Sequence, residues 1–410
     1  MRGWKEVLFT DHYEISSGLS KPATEFGFGY PFLSFKNVFE NYFIPEDLNQ
    51  LVNANEKERK SCSIKKGDIF LTRTSETKEE LGMSCVALND YENATFNGFT
   101  KRLRPKTKNE IDPYFIGFYL RSPKFRSDIS AFANLITRAS LNNDAIGRLK
   151  LFLPPLNIQE KIGSILFSYN RLIENNLKRI KLLEEVAQRT YEEWFVKFRI
   201  NGEQLAIDEM TGLPVGWERK KLNQVANIIS GFPFKSSDYI ENGCYKIVTI
   251  KNVQDGYFVP NTTDSLIEIP SKVKKEQELN TGDIILSLTG NVGRTCLVYG
   301  DNYLLNQRVA KLIAKENFSF GFVYATMRNQ KMLTTLENIS NGAAQQNLSP
   351  NNMGNVDVVC PDENTLSKFN DISDSSIKMI CKLYLQNQKL KESRDILLPK
   401  LMNGTLNIES

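Results

Sequence analysis

"SFKNVFENYF" at residues 34–43 is echoed 215 residues later by "TIKNVQDGYF" at residues 249–258. A shared Lys-Asn-Val is common by chance, so the test is whether other matches keep the same spacing. They do: "GW" at Gly3 and Trp4 returns at Gly216 and Trp217, "SG" at Ser17 and Gly18 returns at Ser230 and Gly231, and "GDI" at residues 67–69 returns at residues 282–284, with offsets of 213 to 215. Further on, "LGMSCV" from Leu81 faces "VGRTCL" from Val292, and "LNNDAIGRLKLFLPP" from Leu141 faces "LSPNNMGNVDVVCPD" from Leu348, at offsets of 211 and 207. Small deletions in the second copy account for the drift. A period near 200 residues far exceeds that of a solenoid, so each copy is expected to be a domain in its own right.

Composition sets the frame. With 410 residues and 41% hydrophobic content, the chain can bury two or more cores. The cysteines (Cys62, Cys85, Cys244, Cys296, Cys360, Cys381) form no CxxC pair and have no neighbouring histidines, which argues against zinc or a disulfide framework and for a reducing, cytoplasmic setting. The start "MRGWKEVLFTDHY" has no signal-peptide pattern, and no stretch approaches 18 apolar residues, so no membrane role is expected. A net charge of +4, from 52 basic and 48 acidic residues, is too small to diagnose a polyanion partner.

Within each copy the first 150 or so residues read as short strands between turn residues, as in "YKIVTIKNV", "GDIILSLTG" and "RVAKLIAK". Each copy then changes character. Residues 158–198 contain no proline and one glycine, and residues 363–398 contain neither, which predicts two helices of about 60 and 54 Å. The second carries a 3,4 spacing through Leu366, Phe369, Ile380, Leu383, Asn387, Leu390, Leu397 and Leu401, with Ser373, Ser376 and Arg394 as weak positions. The matching seam in the first is Leu172, Asn176, Leu183 and Thr190, extended by Ile162, Ile165 and Trp194. Such seams bury against a partner helix, and Asn176 and Asn387 fall at equivalent positions where a polar residue can fix register. The fold class is therefore α+β, with an internal duplication: residues 1–157 and 216–362 as mainly β or mixed domains, 158–200 and 363–403 as helices, 201–215 as a linker and 404–410 as a tail.

"PPLNIQEKIGSIL" at the first junction, "YEEWFVKF" closing the first helix, "LPVGWERKKL" opening the second copy, and "SGFPFKSSDY", "GDIILSLTGNVG" and "NGAAQQNLSPNNMGNV" within it closely resemble the specificity subunit of type I restriction-modification enzymes. The departures are "CPDENTLSK" at the second junction, in place of the family's Pro-Leu-x-x-Gln pattern, and "LITRASLNND" in the first copy, where the glutamine-rich run is absent. The resemblance implies two target-recognition domains, each reading one half of a bipartite, asymmetric site in double-stranded DNA. It also implies pseudo-two-fold symmetry, helices packed as an antiparallel coiled coil that sets the gap, and docking of two methyltransferase (modification) subunits, to which restriction subunits add.

The residues independently speak against catalysis in this chain. His12 is the one histidine, which leaves little for histidine-based activation. "EFGFGY" at residues 25–30 lacks the following helix of a cofactor turn, and "LPPL" at residues 153–156 is wrongly flanked for a methyltransferase loop. "PED" at Pro45 with "ERK" at Glu58 fits a metal-nuclease pattern only when forced, and no ATP-binding loop is present. No cofactor or metal is expected in this chain. The competing readings are a nuclease or methyltransferase with a built-in recognition fold, and a helical scaffold without a DNA role.

Base reading needs Arg or Lys for guanine and Asn or Gln for adenine, with further cations on phosphates. In the second copy the candidates are Lys235, Ser236, Lys251, Asn252, Gly290, Asn291, Asn306, Gln307, Arg308, Gln345, Gln346 and Asn347. In the first they are Lys36, Asn37, Arg73, Thr74, Asn97, Arg138 and Ser140, with Lys101 and Arg102 of "KRLRPKTK" expected on phosphates. Lys36 and Lys251, identical in both copies, suit phosphate or fold support better than base reading.

Overall fold

The structure is a computed structural model that describes residues 3–74, 80–134, 141–262, 264–340 and 347–406. It divides into two compact units, Met1–Ile173 with Leu390–Ser410, and Glu174–Lys389. The division falls inside both long helices.

The first unit is built on an antiparallel sheet in the order Tyr13–Ser17, Thr100–Pro105, Ile69–Thr72, Ser84–Val86. Beside it, Phe26–Leu33 pairs antiparallel with Leu51–Val52 and parallel with Thr95–Phe96. Strand Ile69–Thr72 is buried on both faces: Ile69 and Leu71 join a core with Phe9, Leu103 and Phe118, and Phe70 turns to a second core with Val52, Cys85 and Phe96. The period-two alternation of a strand sends neighbouring residues to opposite cores. A separate pair, Lys5–Leu8 with Lys150–Leu153, brings the start of the domain to the residues just before the helix.

The second unit follows the same plan. Its main sheet runs Ala226–Ser230, Val309–Ala314, Ile284–Ser287, Thr295–Leu297. Tyr245–Val248 pairs parallel with Tyr303–Leu305, and Glu218–Lys221 pairs with Asp357–Cys360 ahead of the second helix.

The long helices span Leu156–Tyr191 and Glu363–Met402. The first ends in a π turn, Glu192–Val196, which buries Trp194 and Phe195 against Phe369. Within the second unit the Asn176 amide donates to Asn387 Oδ1 at 2.9 Å, and further along the first helix the Tyr191 ring meets Phe369 at 6.1 Å. Within the first unit Arg394 donates to Asn170 Oδ1 at 2.7 Å and lies over the Tyr42 ring.

The seam of the first helix differs from the sequence expectation. Leu172 is 49% exposed and Ile165 38%, so both lie on the outer face. Ile162, Asn176 and Trp194 are buried as expected, and between them the buried stripe runs through Leu166, Ile173, Ile180, Ala187 and Tyr191. Apolar residues at both 165 and 166, and at both 172 and 173, leave the phase ambiguous by one position, and packing selects the phase whose three- and four-residue steps stay on one side.

Candidate nucleic-acid interface

Two turns organise the candidate residues. In the first unit Thr100 N–H donates to Asn97 O at 3.0 Å, Asn97 Oδ1 accepts from Phe99 N–H at 2.7 Å, and Gly98 N–H donates to Leu19 O at 2.9 Å. In the second, Val309 N–H donates to Asn306 O at 2.9 Å, Asn306 Oδ1 accepts from Arg308 N–H at 3.2 Å, and Gln307 N–H donates to Phe232 O at 3.0 Å. Each asparagine thus spends its side-chain oxygen on holding the turn, in the manner of an Asx turn. The residues presented beyond it are Gly98 and Phe99 in one case, Gln307 and Arg308 in the other.

The repeated "SG" has its reason here. A Cβ on Gly18 would stand 2.3 Å from Asn97 O, and one on Gly231 would stand 2.1 Å from Asn306 O. No side chain fits that approach.

Next to each turn runs a second segment. Arg73 N–H donates to Phe99 O at 2.9 Å and Leu288 N–H to Arg308 O at 2.9 Å. Beyond it Leu141 N–H donates to Arg73 O, and Leu348 N–H to Leu288 O, both at 2.8 Å. Arg73, Thr74 and Asn97 therefore share one edge of the first unit. Gly290, Asn291, Gln307, Arg308 and Asn347 are exposed at the corresponding edge of the second, where Asn347 bridges Thr289. Gly290 adopts φ +73, which opens that turn, and Asn291 directs its amide oxygen at the Arg294 guanidinium. Arg138, Ser140, Gln345 and Gln346 lie outside the described residues.

Other candidates are not brought to these edges. Lys101 and Arg102 are each 7% exposed, which corrects their assignment to phosphates. Lys101 Nζ donates to Ser17 Oγ at 2.8 Å, and Arg102 Nη1 donates to Ser63 O at 2.6 Å while its guanidinium lies over the Phe96 ring. Burial, then the Arg73 charge, pulls the Lys101 ammonium below the usual lysine range; burial likewise lowers Arg102. A strand covered on both faces hides its charged run, and here the strand continues to Arg104, which pairs with the fully buried Asp68 at 2.6 Å.

Asn37 and Asn252 are a second correction. Asn37 Oδ1 accepts from Ser34 N–H at 3.2 Å, closing the start of helix Phe35–Glu40. Asn252 Oδ1 accepts from Thr249 N–H at 2.8 Å while its amide donates to Val259 O at 2.8 Å. Both serve turns, not ligands. Asn97 and Asn306 join them in this sense, although they sit at the candidate edge. Lys36 and Lys251 stay exposed, Lys36 within 3.8 Å of Glu40, and Lys235 and Ser236 are exposed at a short 3-10 turn.

The groups weighed for catalysis have structural partners. His12 Nδ1 lies 2.8 Å from Glu110 Oε2, and Glu58 closes a capping box with Asn55 and pairs with Lys21 at 2.8 Å. The Gly-rich "FGFGY" is an irregular strand, with Gly27 and Gly29 at φ +97 and +96, rather than the turn its glycines suggest. No described helix is long and apolar enough to cross a membrane. Phe99, which is not among the candidates, is 62% exposed on the first of these turns. Carrying the alignment across the turn from Asn306 would have placed it opposite Arg308.

Comparison with known proteins agrees with this architecture. The type I restriction enzyme HindI specificity subunit of Haemophilus influenzae is 24% identical over 472 residues, covering 99% of this chain and 100% of the relative. The MjaIX specificity subunit of Methanocaldococcus jannaschii is 26% identical over 423 residues, covering 100% and 94%. The fold is similar to the crystal structure of a type I restriction-modification S subunit from M. genitalium, with a TM-score of 0.59 at 14% identity over 97% of this chain and 96% of that one. The family model for the type I restriction modification DNA specificity domain matches residues 1–185 and 214–372, and the chain belongs to that family.

Proposed function

We propose that this chain is the non-catalytic DNA-recognition subunit of a type I restriction-modification complex, with each β-rich domain reading one half of a bipartite duplex target. The observation that carries this reading is the pair of turns at Asn97 and Asn306, which share their backbone hydrogen bonds and differ in the side chains they present. Such a difference on a common frame suits two readers of different half-sites. The matched sheet orders and the repeated sequence blocks support an internal pseudo-two-fold duplication.

The long helices act as an antiparallel coiled coil that sets the gap and offers docking surface to two methyltransferase subunits. The Asn176–Asn387 bond and the apolar seams support this. A buried amide pair costs stability and fixes register, which is what a spacer requires. Methyl transfer and cleavage belong to other subunits, as do S-adenosylmethionine and ATP if the complex uses them.

Methylation profiling of a host carrying this chain with its methyltransferase partner tests the proposal. The expected result is an asymmetric bipartite motif in which Arg308→Ala relaxes one position of one half-site, since a bidentate contact discriminates by roughly 1 to 3 kcal/mol. A continuous motif, or methylation or cleavage by the purified chain alone, contradicts it. Inserting Ala-Ala-Glu-Leu near Leu182 adds about one turn, roughly 6 Å, to the first helix. The gap should lengthen by one or two base pairs while both half-sites keep their letters.

A further inference from the structure

We infer that Phe99 reads a thymine of the first half-site through its 5-methyl group. The inference rests on the DNA-recognition reading above and deepens it by naming a side chain and a base. Phe99 is 62% exposed at the tip of a turn whose backbone is fixed by Asn97 and by the Arg73 N–H on its own carbonyl. A phenyl ring held in water by so ordered a frame forgoes burial that a looser turn would permit.

Its surroundings point to nucleic acid. The residue before it is Gly98, where a Cβ would stand 2.3 Å from Ser20 Oγ, so no side chain but the ring is presented at this tip. Arg73 donates its N–H to the Phe99 carbonyl at 2.9 Å and is itself partly exposed. An apolar tip beside the partly exposed Arg73 suits a base edge flanked by phosphates better than an apolar protein surface. The matched position in the second unit is Arg308, whose chemistry suits guanine. A phenyl ring has no donor or acceptor to read amide or carbonyl edges. In the major groove the apolar feature available to it is the thymine methyl.

The test uses the assembled complex of this chain with its methyltransferase subunits and duplexes carrying the motif found by methylation profiling. Each thymine of the first half-site is replaced in turn by deoxyuridine, which lacks only the methyl. One such replacement should weaken binding of the unaltered complex about four- to tenfold. Phe99→Ala should lose the same factor on thymine DNA and become indifferent to deoxyuridine at that position, with Phe99→Leu retaining part of the response. The inference is overturned by a first half-site without thymine, by unaltered binding in Phe99→Ala, or by a deoxyuridine response that persists without the ring. Loss of methyltransferase association with base preference intact would also overturn it, assigning the ring to a protein contact. Arg308→Ala separates the two levels: if it alters the second half-site while Phe99 is inert, only this inference falls, whereas a continuous motif in the profiling takes the DNA-recognition reading with it.

Discussion

The first domain presents Asn97, Gly98 and Phe99 on the turn where the second presents Asn306, Gln307 and Arg308, and the same backbone bonds surround both. The asparagines repeat because their side chains hold the turn; the tips diverge at Phe99 and Arg308, whose side chains are exposed. The same division runs through the other repeats. "KNV" keeps its asparagine to close a turn, "SG" keeps its glycine to clear a carbonyl, and "GDI" keeps Asp68 and Asp283, whose carboxylates accept from Lys65 N–H and Asn280 N–H at 2.8 and 2.7 Å. Identity between the copies marks scaffold, and difference marks the surface free to change what it touches.

The ion pairs beneath the two sheets differ between the domains. Asp68 pairs with Arg104, whereas Asp283 pairs with Lys311 at 2.7 Å, a cation that stands two residues earlier on the matched strand. Arg104→Ala strands a carboxylate with no exposed surface and should cost about 3 kcal/mol, read by denaturant unfolding of the intact chain. Lys311→Ala should cost less, because Asp283 is 21% exposed and reaches water. Equal losses would mean that the two frames are not tuned differently. Next in size, Gly18→Ala and Gly231→Ala should each destabilise by roughly 2 to 3 kcal/mol, since the added carbon meets backbone oxygen and the strands must shift. A neutral outcome at either would remove the stated reason for the repeat.

A third contrast concerns matched arginines. Arg121 donates to the carbonyls of Val38, Phe39 and Asn41, while Arg328 pairs with Asp255 and faces Glu184. Burial pushes the Glu184 carboxyl up to about 7, with the Arg328 charge opposing and Asp255 adding to the rise. Because the folded state holds that proton more tightly than the unfolded chain, the group's contribution is greatest below the ordinary carboxylate range and is lost as pH climbs towards 7. Glu184→Gln should flatten this slope and be more stable above pH 7 by on the order of 2 kcal/mol. A slope that survives the substitution assigns it to another group. The smallest effects belong to Lys36→Ala and Lys251→Ala, each expected within about 0.5 kcal/mol in stability. If these lysines meet phosphates, each change also lowers the salt slope of DNA binding by about one.

The sequence made the repeated blocks, the strand-rich regions and the two helices legible, because repeats and periodicity are properties of the chain itself. The phase of the first helix was not, since Ile165 and Leu166, like Leu172 and Ile173, are adjacent apolar residues and packing alone chooses between them. Lys101 and Arg102 looked like a phosphate patch because a charge run carries no sign that its strand is covered on both faces. The amide candidates divided by what their side chains already bind: Asn37, Asn97, Asn252 and Asn306 are occupied by backbone, while Asn347 and Gln307 are exposed. Phe99 escaped notice because a search for hydrogen-bonding side chains passes over a phenyl ring.

If a common frame carries exchangeable reading residues, one tip can be transplanted onto the other turn. In the double variant Gln307→Gly with Arg308→Phe, the second domain presents the tip of the first while keeping Asn306 and its bonds. Methylation profiling of a host carrying this variant should find letters changed in one half-site, with the other half-site and the gap unaltered. An unchanged motif, or changes in both halves, would show that these tips do not read the half-sites independently.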